Sequence, residues 1–480
     1  MKKPTHFYII LSVNLVLWRG FFTLNNLEIE KEFALLSKEL NVLFSKEQII
    51  QWAKETKFLQ RESKLKPEQF LLLCTIIGEN SSEKSLVELC SQLSTIFGVN
   101  ISAEGLNQRY TAKAVEFIKK LFLTVFSKKM GYKYNFEDQQ KFKRICILDS
   151  TSFDLPGDYK DYKGPNGSGI KIQLEYELYS GEFLNLEVQD GISSDSYYPR
   201  NLYENIQKGD LYLRDLGYYS SDNLKIINQK GGYYISRLKN NINIYKLEND
   251  KWVKFDPLAV TAKLNPGEVL ELDNIRIGAN NKDPLLSRVV LVRLTDEQIE
   301  KKKSQIKKKK KKGKSTLSSE INISTNIYVT NIPQVLIKKE EIYSIYSLRW
   351  QIEILFKTWK SLFNIHKVKK MKKERFECYL YGTLVRLLLS STLAFQIKRA
   401  LYKRNQVEVS EYKAINIAKE GIKRFVEVIT HSTITFEEVM IRVYRTIATN
   451  GRMSYKKNKR TVFDILNIVY KKTFKTAGLV

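Results

Sequence analysis

Asp149 closes the short apolar, β-branched run RICILD, and Asp215 closes DLYLRD. Each acid therefore falls at the end of an expected strand, the edge at which an α/β sheet presents its functional groups. An acid in that place is also a common helix or turn cap, so the pair gains meaning only when a third acid converges on it. Glu353 is the candidate. Tyr346, Arg349, Glu353 and Lys360 are separated by 3, 4 and 7 residues. At about 100° per residue these offsets put all four side chains within an arc of roughly 60° on one face of a helix. Ile345, Leu348, Ile352, Leu355, Trp359 and Leu362 make the apolar stripe opposite. The spacing fits equally a solvated face on which Arg349 and Glu353 form an ordinary i, i+4 ion pair. If the acids do meet, the product is a cluster of oxygen ligands, which suits a hard cation as Cys and His do not.

These side chains need elements to hold them. Residues 1–143 read as a helical domain, with apolar residues at helical spacing in LEIEKEFALLSKEL, EQFLLLCTIIGE and KAVEFIKKLFLTVF. Within it, SLVELCSQLSTIFGVNISAEGLNQRY holds two helical patterns; Gly98 closes the first and Ser102 caps the second. That is the outline of a DNA-reading helix-turn-helix, and equally of a plain helical hairpin. From Arg144 the texture turns to strands: RICILDS, then KIQLEYELYS and EFLNLEVQDG as a hairpin about Ser180 and Gly181. A helix from about Pro199 to Gln207, the strand DLYLRD, the helix SDNLKIINQK and the strand YYISRLK complete the segment 144–239. Residues 240–331 are again strand-like and read as a β-rich insertion. Inside it, residues 301–314 carry ten Lys and no acid, a self-repelling run expected to stay a disordered loop. Helical patterns return over 332–400 and 401–480.

With these motifs in place, the chain resembles the DDE transposases of bacterial insertion sequences, of the IS-four type. Tyr346, Arg349, Glu353 and Lys360 match that family's Tyr-Arg-Glu-Lys signature, and ILDSTSFDLP and YLRDLGYY resemble its two Asp motifs. The likeness covers roughly residues 80–420. It implies an α/β RNase H-like core, 144–239 and 332–400, interrupted by the β insertion and flanked by helical regions. It implies Asp149, Asp215 and Glu353 as catalytic, metal-binding residues holding two Mg²⁺ ions, with Mn²⁺ as a substitute. Arg349 and Lys360 would contact DNA phosphates, and Tyr346 would hydrogen-bond or stack there. The partners implied are the terminal inverted repeats of the element and a target DNA, gripped by a homodimer, without a nucleotide cofactor. The rivals are an RNase H-like nuclease that cuts without strand transfer and an inactive DNA-binding regulator. The base-holding aromatic that related proteins carry in the insertion has no clear counterpart: Tyr328 precedes Thr330 and Asn331, while Trp252 lies far upstream.

Composition is consistent with that resemblance but does not decide it. Eighty Lys and Arg against 52 Asp and Glu give a net charge of +28, which favours polyanions, nucleic acid first and an anionic membrane surface second. The four cysteines show no Cys-x-x-Cys spacing, so neither a zinc ribbon nor a disulfide framework follows. The first 22 residues mimic a secretory leader but lack a small-residue cleavage site, and read as a core helix or a mis-assigned start. A cytoplasmic, nucleoid-associated protein is expected. Asp154, Asp158 and Asp161 look like turn residues, and Asp190 and Asp195 end no strand before a helix as well as Asp215 does. His366 reads as a surface residue within the basic stretch HKVKKMKKERF.

Overall fold

The computed structural model describes residues 33–80, 82–128, 140–238, 242–278, 284–310, 323–405, 407–431, 433–454 and 462–469. The first 22 residues and residues 311–314 of the Lys run lie outside them. The chain begins with α1 (33–43), α2 (Lys46–Glu55), α3 (Pro67–Leu72), a π turn (Leu73–Ile77), α4 (Leu86–Phe97), α5 (Ala103–Arg109) and α6 (Ala112–Ser127). The caps are those the sequence dictates. Ser85 and Glu88 form a reciprocal capping box at α4, Gly98 ends that helix at φ +66°, and Ser102 Oγ accepts from the Gly105 amide at 3.0 Å to start α5. The helix pair expected at residues 85–110 is therefore present.

The strands are β1 (Ile145–Leu155), β2 (Lys163–Gly164), β3 (Gly167–Glu177), β4 (Phe183–Asp190), β5 (Leu211–Arg214), β6 (Tyr233–Arg237), β7 (Ile244–Glu248), β8 (Lys251–Phe255), β9 (Val269–Ile277), β10 (Leu285–Arg293) and β11 (Thr325–Thr330). Between them lie a 3₁₀ helix (Tyr198–Asn205), α7 (Ser221–Gln229), α8 (Pro257–Thr261) and α9 (Asp296–Lys310). Then come α10 (Lys339–Ser347), α11 (Trp350–Leu362), α12 (Lys373–Asn405), α13 (Glu411–Ile422), α14 (Phe425–His431), α15 (Phe436–Asn450) and α16 (Val462–Val469).

The strands form a single sheet in the order β2-β3-β1-β5-β6-β11-β10-β9-β7-β8, with β4 also on β3. β1, β5 and β6 run parallel, and β3–β4 is the antiparallel hairpin beside them. This is the RNase H-like arrangement. The insertion does not build a separate sheet: β11 pairs antiparallel with β6, Tyr328 opposite Arg237 and Thr330 opposite Ile235, so the core sheet continues into it. The Asn331 side chain fastens this seam by accepting from the Tyr234 amide at 2.9 Å.

Three expectations are corrected. Asp149 does not end its strand, because β1 runs on to Leu155; only its pairing with β5 stops, at Leu148 opposite Arg214. The Lys-rich run is helical as far as Lys310, since α9 starts on Asp296 and Glu297 and sets Glu300 against Lys303 at 2.7 Å. Acids in the first turn favour the helix dipole and screen the Lys charges that follow. Third, Tyr346 and Glu353 lie on two helices, α10 and α11, not one. At the joint the amides of Leu348, Arg349, Gln351 and Ile352 each bond three residues back, a tighter winding that turns the chain.

The described residues divide into two compact units. One takes in the described residues within 33–128, 155–159 and 357–454, and the other those within 140–154, 160–356 and 462–469. In the first, α12 packs against α6 and α13. A Cβ on Gly382 would come within 2.1 Å of the Cys74 carbonyl oxygen, so only glycine allows α12 to approach the π turn this closely. α12 is long and apolar enough to cross a bilayer, yet 83% of its most apolar window is buried in the protein. Glu79 sits between Lys419 and Lys423. Burial pushes its carboxyl up, but the two ammonium groups overcome this and hold it at about 2. Because the folded pKa lies below the unfolded value, the stabilisation is present above about pH 4.5 and fades as pH falls toward 2. Glu79→Gln should therefore lower stability by about 1–2 kcal/mol at pH 7 and by almost nothing near pH 2, measured by urea unfolding at each pH. In the second unit, Tyr212, Tyr234, Val289, Leu291 and Val329 share a core with Leu224 and Ile227 of α7.

Candidate active site

The first two acids are placed by the parallel pair β1–β5. Ile145 lies opposite Leu211, Ile147 opposite Leu213, and Leu148 opposite Arg214. One residue further, Asp149 and Asp215 leave the last shared rung side by side. Side chains alternate across a strand, so both acids project on the face of Ile147 and Leu213. The Ser150 amide donates to Asp149 Oδ1 at 2.8 Å and fixes that carboxylate.

The third acid arrives through the turn between α10 and α11. The Tyr346 hydroxyl donates to the carbonyl of Arg214, the residue just before Asp215, at 3.3 Å. Its ring packs 5.1 Å from that of Tyr328 on β11. That anchors the turn to the strand end, and Arg349 then points at the acids. Arg349 Nη1 bonds Asp149 Oδ2 at 3.0 Å, and Nη2 lies 2.9 Å from Glu353 Oε1 and 3.8 Å from Asp215 Oδ1. Three residues separated by up to about two hundred positions thus meet on one guanidinium. Arg349 is buried, its side chain only 7% exposed, while Asp215 is 43% exposed and opens the site to solvent.

One positive charge faces three negative ones. Burial raises the Asp149 pKa most; the Ser150 amide and Arg349 pull it down, Asp215 and Glu353 push it up, and it settles at about 6. Burial also opposes the Arg349 charge, but Asp215, Tyr346, Asp149 and Glu353 outweigh it and raise that pKa. Tyr346 is pushed up to about 12, mainly by burial.

Residues 140–389 match the transposase DDE domain family. The chain is 38% identical to the transposase of insertion sequence element IS231E from Bacillus thuringiensis subsp. finitimus over 93% of its own length and 98% of that protein. It belongs to the DDE transposases of bacterial insertion sequences. The transposase of IS231B from Bacillus thuringiensis subsp. berliner is 37% identical across 93% of this chain and 97% of the relative. That of IS1151 from Clostridium perfringens is 33% identical across 92% and 98%. A cryo-EM structure of the piggyBac transposase synaptic complex with hairpin DNA aligns at TM-score 0.46 and 11% identity, covering 89% of this chain and 87% of that one.

DDE transposases are DNA-cleaving enzymes that use divalent metal, and the donor set of this transposase fits such an ion: carboxylate oxygens from three segments, with no thiolate or imidazole among them. Among the described residues no three acids, His or Cys stand close enough to grasp an ion as they are, and the Arg349 guanidinium lies against all three carboxylates. Lys360 belongs to α11, about 10 Å along the helix axis from Glu353, and burial lowers its pKa. Tyr346, which the resemblance places at the DNA, has its side chain buried and its hydroxyl donating to the Arg214 carbonyl. The sequence reading set Asp195 aside, yet its carboxylate bonds the Ser150 hydroxyl next to Asp149. It comes from the loop after β4, where no periodicity could have singled it out.

Proposed function

We propose that this transposase moves its element by cut-and-paste, cleaving at the terminal inverted repeats and joining the freed ends to target DNA. The observation that carries this reading is the meeting of Asp149, Asp215 and Glu353 on Arg349. Asp149, Asp215 and Glu353 would hold two Mg²⁺ ions, which supply activation of the attacking oxygen and stabilisation of the leaving one in an in-line displacement. In cleavage, water oxygen bonds to phosphorus as the bond to the 3′ oxygen breaks, and that oxygen leaves as a hydroxyl. In joining, the oxygen of that 3′ hydroxyl bonds to a phosphorus of the target as the bond to the target's own 3′ oxygen breaks, and that oxygen leaves as a hydroxyl, taking up the proton that the attacking hydroxyl gives up. Each step exchanges one ester or water for another, so no nucleotide cofactor is consumed.

Arg349 neutralises the acids before DNA binds, then turns its planar fork to a phosphate near the cut, while Lys360 adds a point charge further along α11. Tyr346 serves the site by pinning the α10–α11 turn. Two ends must be held together, so a homodimer on DNA follows, acting on the nucleoid in the cytoplasm. The test is incubation of the purified protein with Mg²⁺, a fragment bearing the element's terminal repeats and a target plasmid. Cut ends joined to the plasmid support the proposal. Cleavage without joining points to a nuclease, and binding without cleavage to a regulator.

A further inference from the structure

Next to the acids described above lies a fourth carboxylate. Asp195 Oδ1 accepts from the Ser150 hydroxyl at 3.2 Å, from Lys171 Nζ at 3.2 Å and from Gln173 Nε2 at 3.1 Å. Lys171 also donates to the Ser193 carbonyl at 2.5 Å, and Gln173 Oε1 accepts from the Tyr218 hydroxyl at 2.6 Å. None of the three bonds uses Oδ2, which would lie 3.9 Å from a Cβ on Gly217, two residues past Asp215. A single side chain thus ties β1 to β3, and Gln173 carries the network on to Tyr218, past the second acid.

The place of this knot gives it a role. β1 has β5 as neighbour only as far as Leu148, so Asp149 and Ser150 leave that pairing just where the carboxylate must be aimed. The Ser150 amide aims it, bonding Asp149 Oδ1 at 2.8 Å, and the hydroxyl of the same residue is what Asp195 grips. We infer that Asp195 is a positioning residue of the catalytic site, holding Ser150 so that its amide fixes the Asp149 carboxylate. This rests on the reading of Asp149 as a metal ligand. Groups that orient a ligand commonly cost about 10–100-fold in metal affinity when removed.

The test is Mn²⁺ binding to the full-length protein, followed by electron paramagnetic resonance, with thermal unfolding in EDTA to show that each variant is folded. Asp195→Ala and Ser150→Ala should each weaken Mn²⁺ binding about tenfold, and the double variant should be no worse than either, since both break one chain of contacts. Asp195→Asn keeps an acceptor for the Ser150 hydroxyl and should bind within about threefold of wild type. If Asp195→Ala does not fold, Ser150→Ala and Asp195→Asn carry the same test. Wild-type affinity in Asp195→Ala or in Ser150→Ala, additive losses in the double variant, or an Asn variant as weak as the Ala variant would each overturn the inference; the last would make Asp195 a direct ligand. Asp149→Ala separates the two levels. If it binds Mn²⁺ like wild type, the triad reading itself fails; if it loses the ion while the Asp195 and Ser150 variants keep it, only the positioning role fails.

Discussion

Replacing Asp149, Asp215 or Glu353 by Ala, one at a time, is expected to lower cleavage at transposon ends by about a thousandfold or more while end binding stays within a few-fold of wild type. Stabilising the charge that develops at a phosphoryl centre is worth several kcal/mol, and each 1.4 kcal/mol is about tenfold in rate. The three side chains converge on one point and act as a unit, so the triple variant should be scarcely worse than any single one. Gel-shift titration and single-turnover cleavage of a labelled end report the two quantities separately. Survival of cleavage in any one variant would remove that residue from the site.

Arg349→Ala should pull stability and metal affinity in opposite directions. In the metal-free protein it removes the cation that touches all three acids and leaves Asp149, whose side chain is 18% exposed, without its partner. Breaking a buried pair from one side costs about 3–5 kcal/mol. Asp215 and Glu353 are better solvated, so about 1–3 kcal/mol is expected here, read as a lower unfolding midpoint in EDTA. The same change removes a like-charged competitor from the metal's position. Mn²⁺ should therefore bind the free protein about tenfold more tightly, even as cleavage falls for want of a phosphate contact. Weaker Mn²⁺ binding in this variant would show that Arg349 is not a counter-ion that yields to metal.

Much of this site could be read from the chain before its structure. The apolar runs ending at Asp149 and Asp215 marked the two strands, because strand patterning is local; the Arg349–Glu353 spacing of four fits an ordinary ion pair equally well, and Glu353 stood out through the resemblance. Two features did not yield to that logic. The stripe Ile345, Leu348, Ile352 and Leu355 keeps helical spacing straight across the joint, so nothing in it marks the break at Leu348 and Arg349. That break is set by tertiary contacts, the Tyr346 hydroxyl on the Arg214 carbonyl among them. Nor does any pattern announce Asp195, whose meaning comes from Ser150, Lys171 and Gln173 on two other strands. The Lys run misled for a related reason: charge counting over 301–314 missed the acids just upstream, on which α9 starts.

The most direct test of the central claim is anomalous diffraction from crystals of the protein bound to transposon-end DNA and soaked in Mn²⁺. The account predicts anomalous peaks in contact with Asp149, Asp215 and Glu353, with the Arg349 guanidinium moved off the carboxylates onto a DNA phosphate. Manganese bound elsewhere, or Arg349 still locked on all three acids with DNA in place, would contradict it.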